Sequence, residues 1–202
     1  MSIVNDLVKI SEWMQENICD KILLKLPNEN QAGEDYEYEL VHPTAFPLFT
    51  PSKDRLPPNV KAPIPSICIR LKEGEHLPHD NTNTMRLSIH FASWNPGTHG
   101  KDIFTPTDAP SDIRSYNQNA TAEYRRTSDG WMDVYSFIDT ALRELEQAEY
   151  IAGMRVVAED GIKYGMTSDK DGLDDFYPFW IGWIEITVRG GVIRNKSYND
   201  YL

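Results

Sequence analysis

Ile3, Leu7, Ile10, Met14 and Ile18 recur at spacings of three and four, with Trp13 beside the stripe, and predict an N-terminal amphipathic helix. Ser2 is its candidate N-cap, and Pro27 with the polar stretch Asn28 to Asp35 ends the segment. Ile22, Leu23 and Leu24 fit either a last helical turn or the start of another element. The period then changes. Tyr36, Tyr38 and Leu40 alternate with Glu37 and Glu39, the period of a strand. Pro43 to Pro65 holds seven of the thirteen prolines. Proline has no amide donor for a ladder, so this stretch predicts an extended arm or a surface wrap, not a central strand or a helix. Ser66 to Leu71 alternates Ile67, Ile69 and Leu71, a short strand. Thr84 to Ala92 gives the cleanest alternation, with Met85, Leu87, Ile89 and Phe91 on one face and Arg86, Ser88 and His90 on the other. The turn-rich run KEGEHLPHDNTN between them predicts a hairpin with a long loop.

From Asn95 to Ser128 the periodicity vanishes into polar sequence punctuated by Gly100, Pro106 and Pro110. A stretch that long without pattern reads as an excursion inserted between strand and helix. Asp129 to Glu146 then predicts a second amphipathic helix, with Trp131, Val134, Tyr135, Ile138, Ala141, Leu142, Leu145 and Ala148 on its apolar face. Ser128 or Asp129 caps it, and Gly153 suits its C-terminal stop. Met154 to Ala158 and Ile162 to Gly165 read as short strands around the hairpin-type turn Glu159-Asp160-Gly161. Tyr177 to Gly190 is the last strand, apolar on both faces where it begins: Phe179, Ile181 and Trp183 on one, Trp180 and Ile184 on the other. Helices on one face of a sheet cover only that face, so an arm of this chain or a neighbouring subunit must cover the other.

These elements predict an α+β fold, a mixed or antiparallel β-sheet with two main α-helices packed on it, an extended Pro-rich arm and a long inserted loop. The 202 residues form one predicted domain, with its core in 1–42, 66–94 and 128–190, the arm at 43–65, the loop at 95–127 and a C-terminal tail at 191–202.

The formal net charge of -11 narrows the partners. No dense cationic patch is present to displace counterions from phosphates, the nearest being Arg125-Arg126 with Arg114 upstream. Sequence-specific binding of DNA or RNA is therefore not expected. Cys19 and Cys68 do not make a disulfide scaffold in a chain of this length and predict a reducing, cytosolic setting. Met1 to Cys19 is broken by Asn5, Asp6, Lys9, Glu12 and Glu16, so no signal-peptide run is expected there, and no stretch is apolar enough to span a membrane.

Candidate chemistry is sparse. His76-Leu77-Pro78-His79-Asp80 gathers two imidazoles and a carboxylate, but on a strand or turn the two histidines do not share a face, and no second cluster supplies further ligands. The acidic run Ser168 to Asp175 resembles a calcium loop, yet counting from Asp169 puts Gly172 at position 4 and Leu173 at position 5, out of register for an EF-hand. Ser88 and His90 share a strand face without a nucleophile elbow. Cys19 falls on a helix and Cys68 in a strand, both core-like positions. The aromatic run Phe176 to Trp180 has acidic flanks that favour core or interface burial over base stacking. No phosphate-binding glycine loop occurs. No catalytic, cofactor-binding or metal-binding residue is assigned, and the expectation is a protein that is not an enzyme and carries no cofactor.

The order of elements carries a resemblance. A strand reading MRLSIHFASWNP precedes a helix opening Gly130-Trp131-Met132-Asp133-Val134, then a short strand pair, then a strand opening Tyr177-Pro178-Phe179-Trp180-Ile181-Gly182. This resembles the tail-terminator (tail-completion, or minor tail) proteins of long-tailed bacteriophages and related phage-tail-like particles. It covers mainly Thr84 to Ala92 and Gly130 to Val188. The excursion and the proline arm depart from the pattern of compact members. The resemblance implies helices packed on a sheet, and a homo-oligomer, commonly a hexameric ring, that caps the head-proximal end of the tail tube. Such a ring ends tube polymerisation and offers a surface to head and neck connector proteins. The implied partners are the tail tube protein, the sheath protein where there is one, and the connectors. The implied location is the virion, assembled in the host bacterial cytoplasm. The alternatives are a head-completion or neck connector protein of the same particle, a metal-dependent hydrolase built on His76 and His79, and a monomeric adaptor.

Overall fold

A computed structural model describes residues 3–27, 39–95, 130–169, 172–173, 176 and 178–191. Helix α1 spans Ile3–Asn17 and buries Leu7, Ile10, Ser11 and Met14. It ends where Asn17 Nδ2 turns back to donate to the Trp13 carbonyl (2.9 Å), a local bond that competes with the helical ladder. A 3₁₀ turn at Cys19–Lys21 follows, and then strand β1, Leu24–Lys25, so Ile22 to Leu24 leads into a new element. Strand β1 pairs antiparallel with β2, Leu40–Val41. The proline arm contributes β3, Thr44–Pro47, which runs parallel to β4 at the edge of the main sheet. Past it lies a 3₁₀ turn at Lys53–Arg55.

Strands β4, Ser66–Leu77, and β5, Thr82–Trp94, form one long hairpin turning at Pro78–Asn81. The predicted long loop is therefore mostly strand. Lys72 to Leu77 is exposed on both faces, so it has no hydrophobic alternation to announce it, and its order comes from backbone pairing to Thr82–Arg86. A bulge between Leu71 and Glu73 shifts the register there.

Helix α2 spans Trp131–Gln147 and buries Val134, Phe137, Ile138, Ala141 and Leu145. Two corrections apply to its apolar face. Phe137 belongs to it, fully buried with its ring edge-on to Phe91 (centroids 5.0 Å apart), and Trp131 is 40% exposed at the first turn. The helix stops at Gln147, where Ala148 becomes extended while its N–H still donates to the Glu144 carbonyl. Gly153 is not the stop. It lies with Ala152 in the tight turn joining β6, Tyr150–Ile151, to β7, Met154–Val156, both residues at positive φ.

The predicted hairpin around Glu159-Asp160-Gly161 does not form. After a 3₁₀ turn at Ala158–Asp160, β8 (Lys163–Met166) pairs with β11 (Phe179–Gly191) at Gly182–Glu185, while β7 pairs with β11 at Val188–Arg189. One long strand thus offers two successive stretches of edge, and each short strand takes one. A small hairpin of β9, Ser168–Asp169, and β10, Gly172–Leu173, lies within the acidic run. The strand order is β3-β4-β5-β11-β7-β6, with β8 also on β11.

The fold is α+β: a mixed sheet, curled into a half-barrel, carries the two helices. Ile67, Ile69, Met85, Leu87, Ile89, Phe91, Ile184, Ile186 and Val188 point from β4, β5 and β11 into a core closed by Leu7, Ile10 and Met14 of α1 and the apolar face of α2. No helix among the described residues is long and apolar enough to cross a membrane. The Ser2, Ser128 and Asp129 caps, the Tyr36 to Tyr38 strand residues, the excursion beyond Asn95 and the tail beyond Gly191 lie outside the described residues.

Candidate functional site

Two features stand out from the scaffold: a polar node under helix α2 and the sheet face turned away from the helices. The node is centred on Asn95, buried just past the end of β5. Its Nδ2 donates to Asp133 Oδ2 (2.7 Å), and its Oδ1 accepts from Lys25 Nζ (2.7 Å). The Asn95 carbonyl accepts from the Trp180 indole Nε1 (2.8 Å), and the Asn95 N–H donates to the Pro178 carbonyl (3.0 Å). One residue so ties β1, β5, the first turn of α2 and the start of β11 together.

Gly130 completes the node by its lack of a side chain. A Cβ there would sit 2.1 Å from the Asn95 carbonyl oxygen and 2.7 Å from Trp180 Nε1, distances no real atom pair tolerates. Burial pushes the Asp133 carboxyl up, while the Asn95 hydrogen bond and Lys25 pull it back. Burial likewise pushes Lys25 down, against the support of Asp133. A neutral amide thus stands between two partly desolvated opposite charges and satisfies both. Asn95 and Gly130 flank the segment 96–129, so its two ends meet at this node.

The second face carries rows of cross-strand neighbours that grade from apolar to charged. Phe46, Cys68, His90, Trp183 and Gly165 lie in one row across five strands, with Ala92 and Ile181 in the row towards the apolar end. Phe46 and Cys68 are buried, and His90, Ala92, Ile181 and Trp183 are half-buried. Two residues further along the strands come Arg70, Ser88, Glu185 and Lys163, then Glu73, Arg86 and Thr187. Glu185 is held by Lys72 Nζ (2.6 Å), with Arg86 further off (3.8 Å). The Lys72 hydrogen bond is the main reason its carboxyl lies below the ordinary carboxylate range. A cavity of about 630 Å³ opens here, lined by Glu73, Glu75, Arg86, Asp160, Lys163 and Glu185 among others.

Two edge strands, β3 and β8, are blunted by side chains. At β3, the Gln15 amide donates to the Pro43 carbonyl (3.1 Å) and accepts the Ala45 N–H (2.9 Å), as a neighbouring strand would, and Pro47 has no N–H to offer. At β8, Trp183 Nε1 donates to the Met166 carbonyl (3.1 Å) with its ring laid over Gly165, where a Cβ would come within 3.3 Å of that ring.

The sequence-predicted candidates disperse. His76 pairs with Asn83 inside the hairpin, whereas His79 lies in its turn. Among the described residues no three His, Cys, Asp or Glu side chains converge on a common point. Ser88 Oγ and His90 Nε2 do meet, at 3.0 Å. Burial, reinforced by Arg70, lowers the His90 pKa and keeps the ring neutral, against a weaker opposing pull from Glu185. Strand β5 is flanked on both sides, so its amides are committed to ladders and do not form an oxyanion hole beside this pair. Cys19 is buried and its thiol pushed up, by burial first and Asp20 second, which suppresses the thiolate. Trp180 packs against the core while Phe176 is 48% exposed, so the burial expected of the aromatic run holds at one end of it and not at the other. Sequence reasoning missed the pairing of Asn95 with Lys25. The available signal was the Trp-Asn-Pro that ends the strand, facing a Gly-Trp-x-Asp helix start.

No family model and no curated protein matches this chain.

Proposed function

We propose that this chain is a structural virion protein, a tail terminator that assembles into a ring, caps the head-proximal end of a tail tube, stops its growth and presents the attachment surface for head or neck. What carries this reading is the convergence at Asn95. Asn95, Gly130, Asp133, Pro178 and Trp180 come from the three motifs on which the resemblance rests, and they form one connected cluster. They work as a scaffold joint that holds a helix on a sheet and gathers the two ends of a long excursion. Further support comes from the second sheet face, whose Ile181 and Trp183 remain half-buried where a subunit neighbour would complete their cover. A heterologous interface that closes on itself explains how one chain ends a polymer: the ring matches the tube end below and repeats no such end above.

The test is to mix the purified protein with tail tubes and, separately, with tail-less heads, and to image both by negative stain. Rings on tube ends support the reading. Rings on heads alone transfer the role to a neck connector. A single 23.2 kDa species at high concentration, with neither particle decorated, removes both and leaves a monomeric adaptor.

A further inference from the structure

The proline arm and the second sheet face carry complementary patterns in the same order. Beyond β3, Leu48 has φ +73 and the Phe49 N–H donates to the Pro47 carbonyl (2.9 Å), a three-residue turn in a conformation that side chains rarely adopt. This strained knuckle displays Leu48 (56% exposed) and Phe49 (60% exposed). The 3₁₀ turn Lys53–Arg55 follows at once, with both cations exposed around Asp54, whose carboxyl Ser52 holds below its usual range. Arg55 makes no ion pair with any described residue, whereas Lys61, further along, is committed to Glu39. In a chain of net charge -11 this is a locally basic surface next to an apolar one.

The second face presents the complement in the same order. Ala92, Ile181 and Trp183 form its apolar part. The cavity beyond them is lined by the carboxylates of Glu73, Glu75, Asp160 and Glu185 and the cations Arg86 and Lys163; Lys72 beside it already pairs with Glu185, so Glu73, Glu75 and Asp160 supply its acidic character. The arm leaves β3 beside Ile69, where the Leu48 N–H donates to the Ile69 carbonyl (2.7 Å), and its own apolar knuckle stays exposed there.

We infer that the 43–65 arm of one copy docks on the second sheet face of the next copy, Leu48–Phe49 against Ile181 and Trp183, and Lys53–Arg55 at the acidic cavity. The contact is heterologous, arm to face, so each copy offers one of each and a closed ring leaves neither unused. This inference rests on the ring reading and specifies its interface.

The test uses the full chain and measures association by sedimentation equilibrium and mass photometry, with circular dichroism to confirm that each variant is folded. Arg55→Glu and Asp160→Arg each place like charges together and should weaken association about tenfold or more, and the double variant should recover most of the loss. Phe49→Ser should weaken it independently of salt. If the wild type assembles and the two charge variants assemble just as well, the interface is wrong and the ring reading stands. Weakening by Arg55→Glu alone, without an effect of Asp160→Arg or recovery in the pair, places the arm on another surface and overturns the cavity assignment. A wild type that stays monomeric at every concentration removes the ring reading and this inference together.

Discussion

Asn95 and Asp133 are 38 residues apart in sequence, yet the Asn95 amide donates to the Asp133 carboxylate across 2.7 Å and fixes the first turn of α2 to the end of β5. The bond is part-buried, and the other end of the same amide carries Lys25. Removing it exposes the consequences of stranding charges away from water.

Asn95→Ala should lower unfolding free energy by about 1–3 kcal/mol, because Lys25 and Asp133 both lose the neutral group that satisfies them. Urea denaturation followed by fluorescence measures this. A loss within a few tenths of a kcal/mol would mean that water replaces the amide and that the node is not a joint.

Gly130→Ala and Gly153→Ala separate two reasons for a glycine. At 130 the added methyl collides with the Asn95 carbonyl and the Trp180 indole, so the helix start must move, at a cost of about 3 kcal/mol. At 153 nothing lies within 4 Å and only the φ of +80 resists, a cost of about 1–2 kcal/mol. The near-UV circular dichroism of Gly130→Ala should also change, while that of Gly153→Ala should match wild type. Equal costs and unchanged spectra would remove the close-approach argument.

Phe137→Ala should cost about 3–5 kcal/mol, since it empties a fully buried site packed on Phe91. Trp131→Ala should cost under about 1 kcal/mol, because its ring is 40% exposed and meets Tyr135 edge-on at 5.5 Å. The reversed order of the two would put the wrong face of α2 against the sheet. Thermal denaturation of the pair decides it.

The Glu185 contribution depends on pH with a definite sign. Lys72 depresses its folded pKa below the ordinary 4.5, so its stabilisation is complete above that value and is lost as pH falls through the depressed one. Glu185→Gln should therefore be less stable than wild type at neutral pH, by under about 1 kcal/mol because the Lys72 side chain is half exposed. The difference should close as the solution is acidified below pH 4. A gap that stays constant down to pH 2 would assign the effect to packing.

Several elements were readable from local pattern alone. The N-terminal stripe became α1, which buries Leu7, Ile10 and Met14 while Ile3 is exposed and Ile18 is buried just past its end, and the alternation Met85 to Phe91 became the centre of β5. The arm's prolines correctly denied it a central strand, and its β3 is an edge strand. Errors arose where pattern is silent. Lys72 to Leu77 is solvated on both faces and has no apolar rhythm, so the length of the hairpin depended on pairing energy that only the partner strand supplies. Met154 to Val156 and Lys163 to Met166 each announce a strand, but not that both choose β11 over one another.

The sequence by itself determined most of the residues that turn inward, because burying one stripe of a helix or one face of a strand imposes a repeat; it misjudged Ile3, Trp131 and Phe137. Only the tertiary structure decided which surfaces meet. The junction of Lys25, Asn95, Gly130, Asp133 and Trp180, the side-chain caps on β3 and β8 and the charge gradient of the second face all join positions far apart in the chain. Contacts of that kind depend on long-range register and sub-ångström fit, and no local period encodes either.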